Sequence, residues 1–539
     1  MIRRLPACLA TFALLLLLAA PACKRPGTRV AAGDLTQTLH IGNSAEPSDL
    51  DPQLITSVNE SQIVLNLVEG LTAMDPKDAH PVPGVAERWD VSDDKLTWTF
   101  HLRADARWSN GDPVTARDFA YSFQRILTPS FASEYASLLH CLRGATDFNS
   151  GKLTDFSQVG VRVIDDRTLA LTLHTPLAYL PALVMHQSWN PVHRPTIEKF
   201  GKMDERGTKW TRPGNYVGNG PFTLSVWEPN QVIRLVKSET YWDRAKVRLN
   251  EVNIYPIEER MTEEAAFRTG QLHVTAVVPN EKIETYKREQ PALLRQESTF
   301  ASYYFTFNTT KPPLNDSRVR RALTLVVDRP ALCEKVLRGS RAPSYTLTPS
   351  GIAGYTTTPA FTENNDEARR LLADAGFPGG TGFPRLELLM AKGGNSQLPE
   401  AIQQMWKTQL GVDIAIVLQE SRVLSDSLRT KTYDISIVGW VGDYLDPSSF
   451  LELFRTGNGN NHTGWARPAY DRLLDEALSS GDDAIRYPIY RRAEALLLDD
   501  MPIGPLISGR RNYLIRPSVR GWEPNVLDLH PFKGVYLEP

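Results

Sequence analysis

Three short apolar runs set the architecture of the second half of the chain: Leu386-Glu-Leu-Leu-Met390, Val412-Asp-Ile-Ala-Ile-Val-Leu418 and Tyr433-Asp-Ile-Ser-Ile-Val-Gly439. Each has the length of a buried strand. Between the first two, Leu398, Ala401, Ile402, Met405 and Trp406 recur at helical spacing, and Gly411 stops that helix. A short helix near Val423 to Leu428 precedes the third run. Strands alternating with helices predict a mainly parallel sheet with helices covering it. Upstream, Asn365-Asp366 can cap a helix carrying Ala368, Leu371, Leu372 and Ala375, ended by Gly376 and Pro378. Downstream, Pro468 opens a helix with Tyr470, Leu473, Leu474, Ala477 and Leu478 on one face.

The first half has a different rhythm. Leu96, Trp98, Phe100 and Leu102 alternate with Thr97, Thr99, His101 and Arg103, the pattern of a half-buried strand. Val161 and Val163 lead through Asp165-Asp166-Arg167 into Leu169, Leu171 and Leu173, which reads as a hairpin. Gln231 to Lys237 is a further strand. No repeat of fixed period and no low-complexity linker divides the chain, so its parts are expected to pack closely.

Composition narrows the function. The 539 residues carry 60 Lys+Arg against 62 Asp+Glu, a formal charge of −2. That balance lacks the basic excess of a nucleic-acid protein. With 42% hydrophobic residues the chain is not disordered either. Its length supports a core without disulfides or metal. The one long apolar run, Leu9 to Ala20, follows Arg3 and Arg4 and is short for a membrane span. Residues 1–22 read as a secretory signal, and Ala20-Pro21-Ala22-Cys23 offers two processing routes. One is ordinary cleavage after Ala-x-Ala. The other, favoured because a Cys falls at the cut, is a lipobox with Cys23 acylated. The chain is then expected in the periplasm, anchored to the membrane through Cys23. Loss of the leader removes Arg3 and Arg4 and no acid, taking the charge from −2 to −4. Cys141 and Cys333 are expected to be free, buried thiols.

Catalytic and metal motifs are lacking. There is no phosphate loop, H-E-x-x-H, C-x-x-C or G-x-S-x-G. His186 and His193 are seven residues apart, a poor spacing for a shared ligand set, and read as polar loop residues. No enzyme activity, cofactor or metal is expected, and a binding role is favoured.

Three stretches carry a family resemblance. The first runs from Ala86-Glu87-Arg88-Trp89 through Leu96–Arg103 to Trp108-Ser-Asn-Gly-Asp-Pro-Val-Thr-Ala-Arg-Asp-Phe119. The second is Asn308 to Leu323, with Lys311-Pro-Pro-Leu-Asn-Asp-Ser-Arg-Val-Arg-Arg-Ala-Leu323. The third is Gly439-Trp-Val-Gly-Asp-Tyr-Leu-Asp-Pro-Ser-Ser-Phe450. In order and spacing they resemble the family 5 solute-binding proteins of ABC importers, most of all the oligopeptide-binding members, over nearly the whole mature chain.

The resemblance implies an α/β, two-lobed periplasmic binding protein fold of class II-like type with an extra inserted domain. Lobe I would comprise 24–68, 193–300 and 511–539, domain II residues 69–192, and lobe III residues 301–510. It implies a monomer that closes on an oligopeptide and delivers it to an ABC permease in the inner membrane. Asp443 matches the acid that meets the ligand's α-ammonium. Gly439, Trp440 and Val441 match a strand that pairs with the peptide backbone, and Val58 and Tyr135 match contacts from the other side. Such main-chain pairing captures a peptide whatever its sequence. Trp440 is expected to wall a side-chain pocket, and Trp89, Trp98 and Trp108 to lie in the core of domain II.

Departures fall at the other end of the ligand. Positions that carry basic residues in relatives are Ile437, Leu337 and Asn395 here. Ser421 stands where a tryptophan is common, Gly509 where a tyrosine is, and Ala301 and Val441 replace an occasional cysteine pair. A neighbouring base such as Arg338 or Arg422, a longer peptide, or an amine-bearing ligand with a modified end would each answer this. A dipeptide, a cell-wall peptide or a sensing role without transport are alternatives on the same fold.

Overall fold

The computed structural model describes residues 27–392 and 397–539. The expected leader, Cys23 and Asn395 lie outside the described residues.

The first of three main sheets has the order Thr38–Gly42, Glu251–Tyr255, Val232–Lys237, Phe222–Glu228. Its first pair is parallel and the others antiparallel. Leu39, Ile41, Leu235, Val252 and Ile254 bury one face together with Val519, Phe532 and Leu537 from the end of the chain. Gln37 ties the two ends together. Its side-chain amide donates to the Leu537 carbonyl at 2.7 Å and its carbonyl accepts from the Leu537 N–H at 3.0 Å.

The second sheet is antiparallel throughout: Ala86–Val91, Thr97–Leu102, Thr168–Thr172, Val161–Asp165. The expected strand and hairpin are both present, and Trp98, Phe100 and Leu102 point into the core as the alternation requires. Helix Ala116–Leu127 covers the sheet. It starts with a capping box in which Asp118 accepts from the Thr115 N–H at 2.8 Å and the Thr115 hydroxyl at 3.0 Å. Trp98 and Trp108 are buried in this core with Phe119 and Phe123, and Trp89 packs at its margin. Arg125, on the same helix, reaches back to the body built on the first sheet. It donates to Asp51 at 3.0 and 2.6 Å, to Gln53 at 2.8 Å and to the Met203 carbonyl at 2.7 Å.

The third sheet corrects the expectation of a mainly parallel one. Its order is Arg341–Pro343, Ile503–Leu514, Leu294–Phe307, Ile435–Val441, Leu386–Ala391, Ile414–Gln419. Only the last three strands are parallel, joined by helices Gln397–Leu410 and Ser421–Arg429. The other half is antiparallel because two long strands, Leu294–Phe307 and Ile503–Leu514, enter side by side from the first body. Local elements follow the expected spans, with Asn364 rather than Asn365 capping helix Asn365–Asp374. Gly411 has φ +71°, and a Cβ there would lie 2.3 Å from the Gly379 carbonyl oxygen, so the helix stop requires glycine.

The two long strands join the bodies. Leu294 and Leu514 pack with Phe267 and Ile283 at one end, and Phe305, Phe307, Leu506 and Ile507 lie in the core of the third sheet at the other. Their register breaks between Ser298 and Ser302, at the crossing.

Cys141 is half-buried, Cys333 is buried, and both are free thiols. Desolvation pushes them up to about 12 and about 11, which makes them unreactive at neutral pH.

Candidate functional site

The crossing of the long strands floors a cleft with two adjoining cavities, of about 440 and 420 Å³, that share Val58, Thr299, Tyr303 and Asp528. The first is lined by Val58 and Tyr135 on one side and Val441 and Asp443 on the other. Four of the six expected ligand contacts are thus brought to one cavity from three stretches of chain.

Strand Ile435–Val441 pairs along its whole length with Leu294–Phe307 on one side. On the other side only Ile435 and Ser436 pair, with Leu388 and Leu389. Among the described residues, Ile437–Val441 therefore has an unpaired backbone edge, whose Val441 end lines the first cavity while Gly439 lines neither. Such an edge is a template for an added strand. Gly439 sits on it beneath Tyr303, where a Cβ would meet the ring at 2.5 Å, so no side chain larger than hydrogen fits without moving that ring. Trp440 points to the opposite face. It is half-buried against the cluster of Phe300, Leu445 and Phe450 and is not part of either cavity's lining. Val441 is 62% exposed, and Val58, opening helix Val58–Leu67 across the cleft, is 50% exposed. Large apolar groups left bare on facing walls await a covering partner. Ala301 and Val441, the replaced cysteine positions, are direct cross-strand partners.

Asp443 holds its main chain in place by donating from its N–H to the Ser449 hydroxyl at 3.0 Å. Its carboxylate has no ion-pair partner among the described residues, and the cleft walls push its pKa upward by desolvation. Its side chain is nonetheless open to solvent at the cleft mouth. Tyr135 is raised by desolvation and then by the Asp443 charge, which places the two in electrostatic contact. An acid with no counter-charge, partly shielded from water, is primed to take up a cation. Tyr444 stacks on Tyr179 at 4.5 Å beside the same cavity.

His186 and His193 both lie in loops, as their spacing suggests, and both are packed there. His193 is buried between Thr196 at 2.7 Å and Asp112 at 3.1 Å. His186 lines the cavity, edge-on to Tyr135 at 4.6 Å, and its Nδ1 accepts from the Ser188 N–H at 3.3 Å. That bond requires the neutral ring, and burial lowers the pKa to about 4. The unfolded chain, with His near 6.5, then binds more protons than the folded one between pH 6.5 and 4, so stability is full above that window and falls as pH drops through it. His186→Gln removes this dependence. Relative to it, wild type is expected to lose about 2 kcal/mol between pH 7 and 4.5, read from chemical denaturation midpoints. Glu263, pushed up to about 7 by burial, titrates with the opposite sign but is common to both proteins. Parallel pH profiles would refute the assignment.

The second cavity is basic. Arg260, Arg341, Arg510 and Arg511 line it, together with Asn43, Gly509, Asp528 and His530. Arg511 is satisfied by Asp528 and by the Ala276 carbonyl at 2.9 Å. The positions that carry bases in relatives do not contribute: Ile437 and Leu337 are 8% and 7% exposed and belong to the apolar core of the third sheet. Arg338 is exposed and lines neither cavity. Arg422 and Ser421 begin helix Ser421–Arg429. Neither periodicity nor motif spacing marks Arg341 or Arg510, because sheet pairing alone brings them together.

Two α/β bodies joined by paired strands, with a cleft at the joint that is acidic at one end and basic at the other, define a two-lobed solute-binding protein. The chain belongs to the bacterial extracellular solute-binding proteins, family 5, whose middle-region model matches residues 80–462. It is 38% identical over 495 residues to the periplasmic oligopeptide-binding protein OppA of Escherichia coli K12, covering 90% of each chain. Among solved structures it is similar to the unliganded open form of the murein tripeptide-binding protein MppA, with TM-score 0.85 and 33% identity over 93% of this chain and 97% of that one. Against Haemophilus influenzae OppA in complex with the peptide RPPGFSPFR, the TM-score is 0.71 at 31% identity, covering 93% and 99%. The described conformation is thus nearer to the open, empty relative than to the peptide complex.

Proposed function

We propose that this protein captures oligopeptides in the cleft and hands them to the permease of an ABC importer. The observation that carries the reading is the unpaired edge Ile437–Val441 ending beside an unpaired acid, Asp443. An extended peptide laid on that edge satisfies its own backbone donors and acceptors, which would otherwise cost about 1–3 kcal/mol each when buried. Its α-ammonium then reaches Asp443. Val58 and Tyr135 supply the opposing wall, and Gly439, Trp440 and Val441 the pairing strand.

Closure is a hinge motion at the register break between Ser298 and Ser302. The moving bodies are lobe I (24–68, 193–300, 511–539) carrying domain II (69–192), and lobe III (301–510). A ligand that touches both bodies stabilises the closed state in proportion to its differential contacts. The protein acts as a monomer in the periplasm without catalysing a reaction, and Cys23 carries a lipid anchor. An intact mass of the mature chain equal to the unmodified polypeptide would exclude the anchor.

Calorimetric titration with alanine peptides of two to six residues tests the central reading. Saturable binding that is abolished by N-acetylation is the expected result. Binding that tolerates N-acetylation, or no binding at any length, would overturn it.

A further inference from the structure

The second cavity holds more positive charge than its own acids neutralise. Arg341 sits 5.3 Å over the Tyr303 ring and donates one N–H to the Ser340 carbonyl at 2.9 Å. Its remaining donors have no partner among the described residues. Arg510 has neither a hydrogen bond nor an ion pair from its side chain there. Both are half-buried. Arg341 lies directly across from Gly509, the residue before Arg510, and both arginines line this one cavity from adjacent strands. Both act on the Cys333 thiol, which fits a shared location. Arg260, at the start of helix Arg260–Arg268, faces them from the first body and is exposed. The only acid lining this cavity, Asp528, is already taken by Arg511. Partly desolvated guanidiniums with no counter-ion are costly to keep, and their fork geometry suits carboxylates.

This cavity is continuous with the Asp443 cavity through Val58, Thr299 and Tyr303. Tyr303 also packs against Gly439 on the open strand edge. A ligand anchored at Asp443 that crosses the shared lining of Val58, Thr299 and Tyr303 therefore arrives at the arginines. Resting on the peptide reading above, we propose that Arg341 and Arg510 bind the ligand's C-terminal carboxylate, and that with Arg260 they favour peptides bearing a second carboxylate, an acidic side chain, at that end. Three guanidiniums without an ion pair exceed a single terminal carboxylate, so a second anion lowers the remaining excess from two charges to one. The anchor then stands at positions different from Ile437, Leu337 and Asn395.

The test uses the full mature protein and calorimetry. Alanine peptides of two to six residues are compared in three forms: free C-terminus, C-terminal amide, and free C-terminus with glutamate as the last residue. At the best-bound length, amidation is expected to weaken binding about tenfold and terminal glutamate to strengthen it about threefold. In Arg341→Gln/Arg510→Gln both differences should vanish, while an unchanged circular dichroism spectrum and denaturation midpoint report an intact fold. Equal affinity of free and amidated peptides in wild type would overturn the proposal. So would an amidation effect that survives in the double variant, since the carboxylate would then be met elsewhere. Either result leaves peptide capture standing. Failure of every peptide to bind would instead remove the capture reading, and this proposal with it.

Discussion

Replacing Asp443 by Asn weakens peptide binding by about 10²- to 10³-fold at pH 7 in calorimetric titration, with no loss of fold. The size follows from where the acid sits. In the open structure it has no cation partner, and the cleft walls already raise its pKa by desolvation. Closure removes the remaining water, so the ammonium of the ligand meets a full negative charge at low dielectric or meets nothing. Asparagine keeps the shape and one acceptor oxygen but leaves that ammonium buried without a counter-charge. The pH profile adds a signature. Wild-type affinity should decline as acid protonates Asp443, and the Asp443→Asn variant should show no such component. A variant that binds free-amine peptides as tightly as wild type would assign the amine site elsewhere.

Arg125→Met is expected to cost about 3–5 kcal/mol of stability, read from the midpoint of chemical denaturation. Arg125 is 0% exposed and Asp51 2%. Deleting the guanidinium leaves the Asp51 carboxylate buried with only the Gln53 N–H, at 3.1 Å, among the donors it now has. The loss also removes the cation over the Phe131 ring at 4.1 Å and the bonds to Gln53 and the Met203 carbonyl. Asp51, Gln53 and Met203 belong to the first body, whereas Arg125 belongs to the helix over the second sheet. Hydrogen exchange along Ala116–Leu127 should therefore rise more than in the strands of the third sheet. The double variant Arg125→Met/Asp51→Leu should recover most of the stability, because no unpaired charge remains. A single variant within 1 kcal/mol of wild type would mean that water reaches the pair.

Local patterns carried well from sequence to structure wherever one element meets one core. Leu96–Arg103 alternates because a single face is buried, and Leu398–Trp406 keeps helical spacing because one face packs on one sheet. The long strands defeated that reasoning for a physical reason. Leu294–Phe307 serves two cores in succession and changes register between them, so its apolar period breaks in the middle. Ile503–Leu514 contains Gly504 and Pro505, which read as breakers in a central strand, yet a second register shift opposite Tyr304 absorbs them. The parallel half of the third sheet was legible, and the antiparallel half was hidden in these two strands. The site divides likewise. Asp443, Val441, Val58 and Tyr135 were reached through the family resemblance, while Arg341, Arg510 and His186 acquire their surroundings only through tertiary pairing.

The bond between Gln37 and Leu537 bears on how the chain is made. The two residues are separated by 500 positions, and the core of the first sheet includes Val519, Phe532 and Leu537. A chain still growing from its N-terminus cannot complete that body until its final residues exist. Contacts this distant in sequence are slow to form, because the loop they close must first be ordered. Premature folding of the N-terminal part is thereby disfavoured during synthesis, which suits a polypeptide that must be threaded across a membrane before it becomes compact.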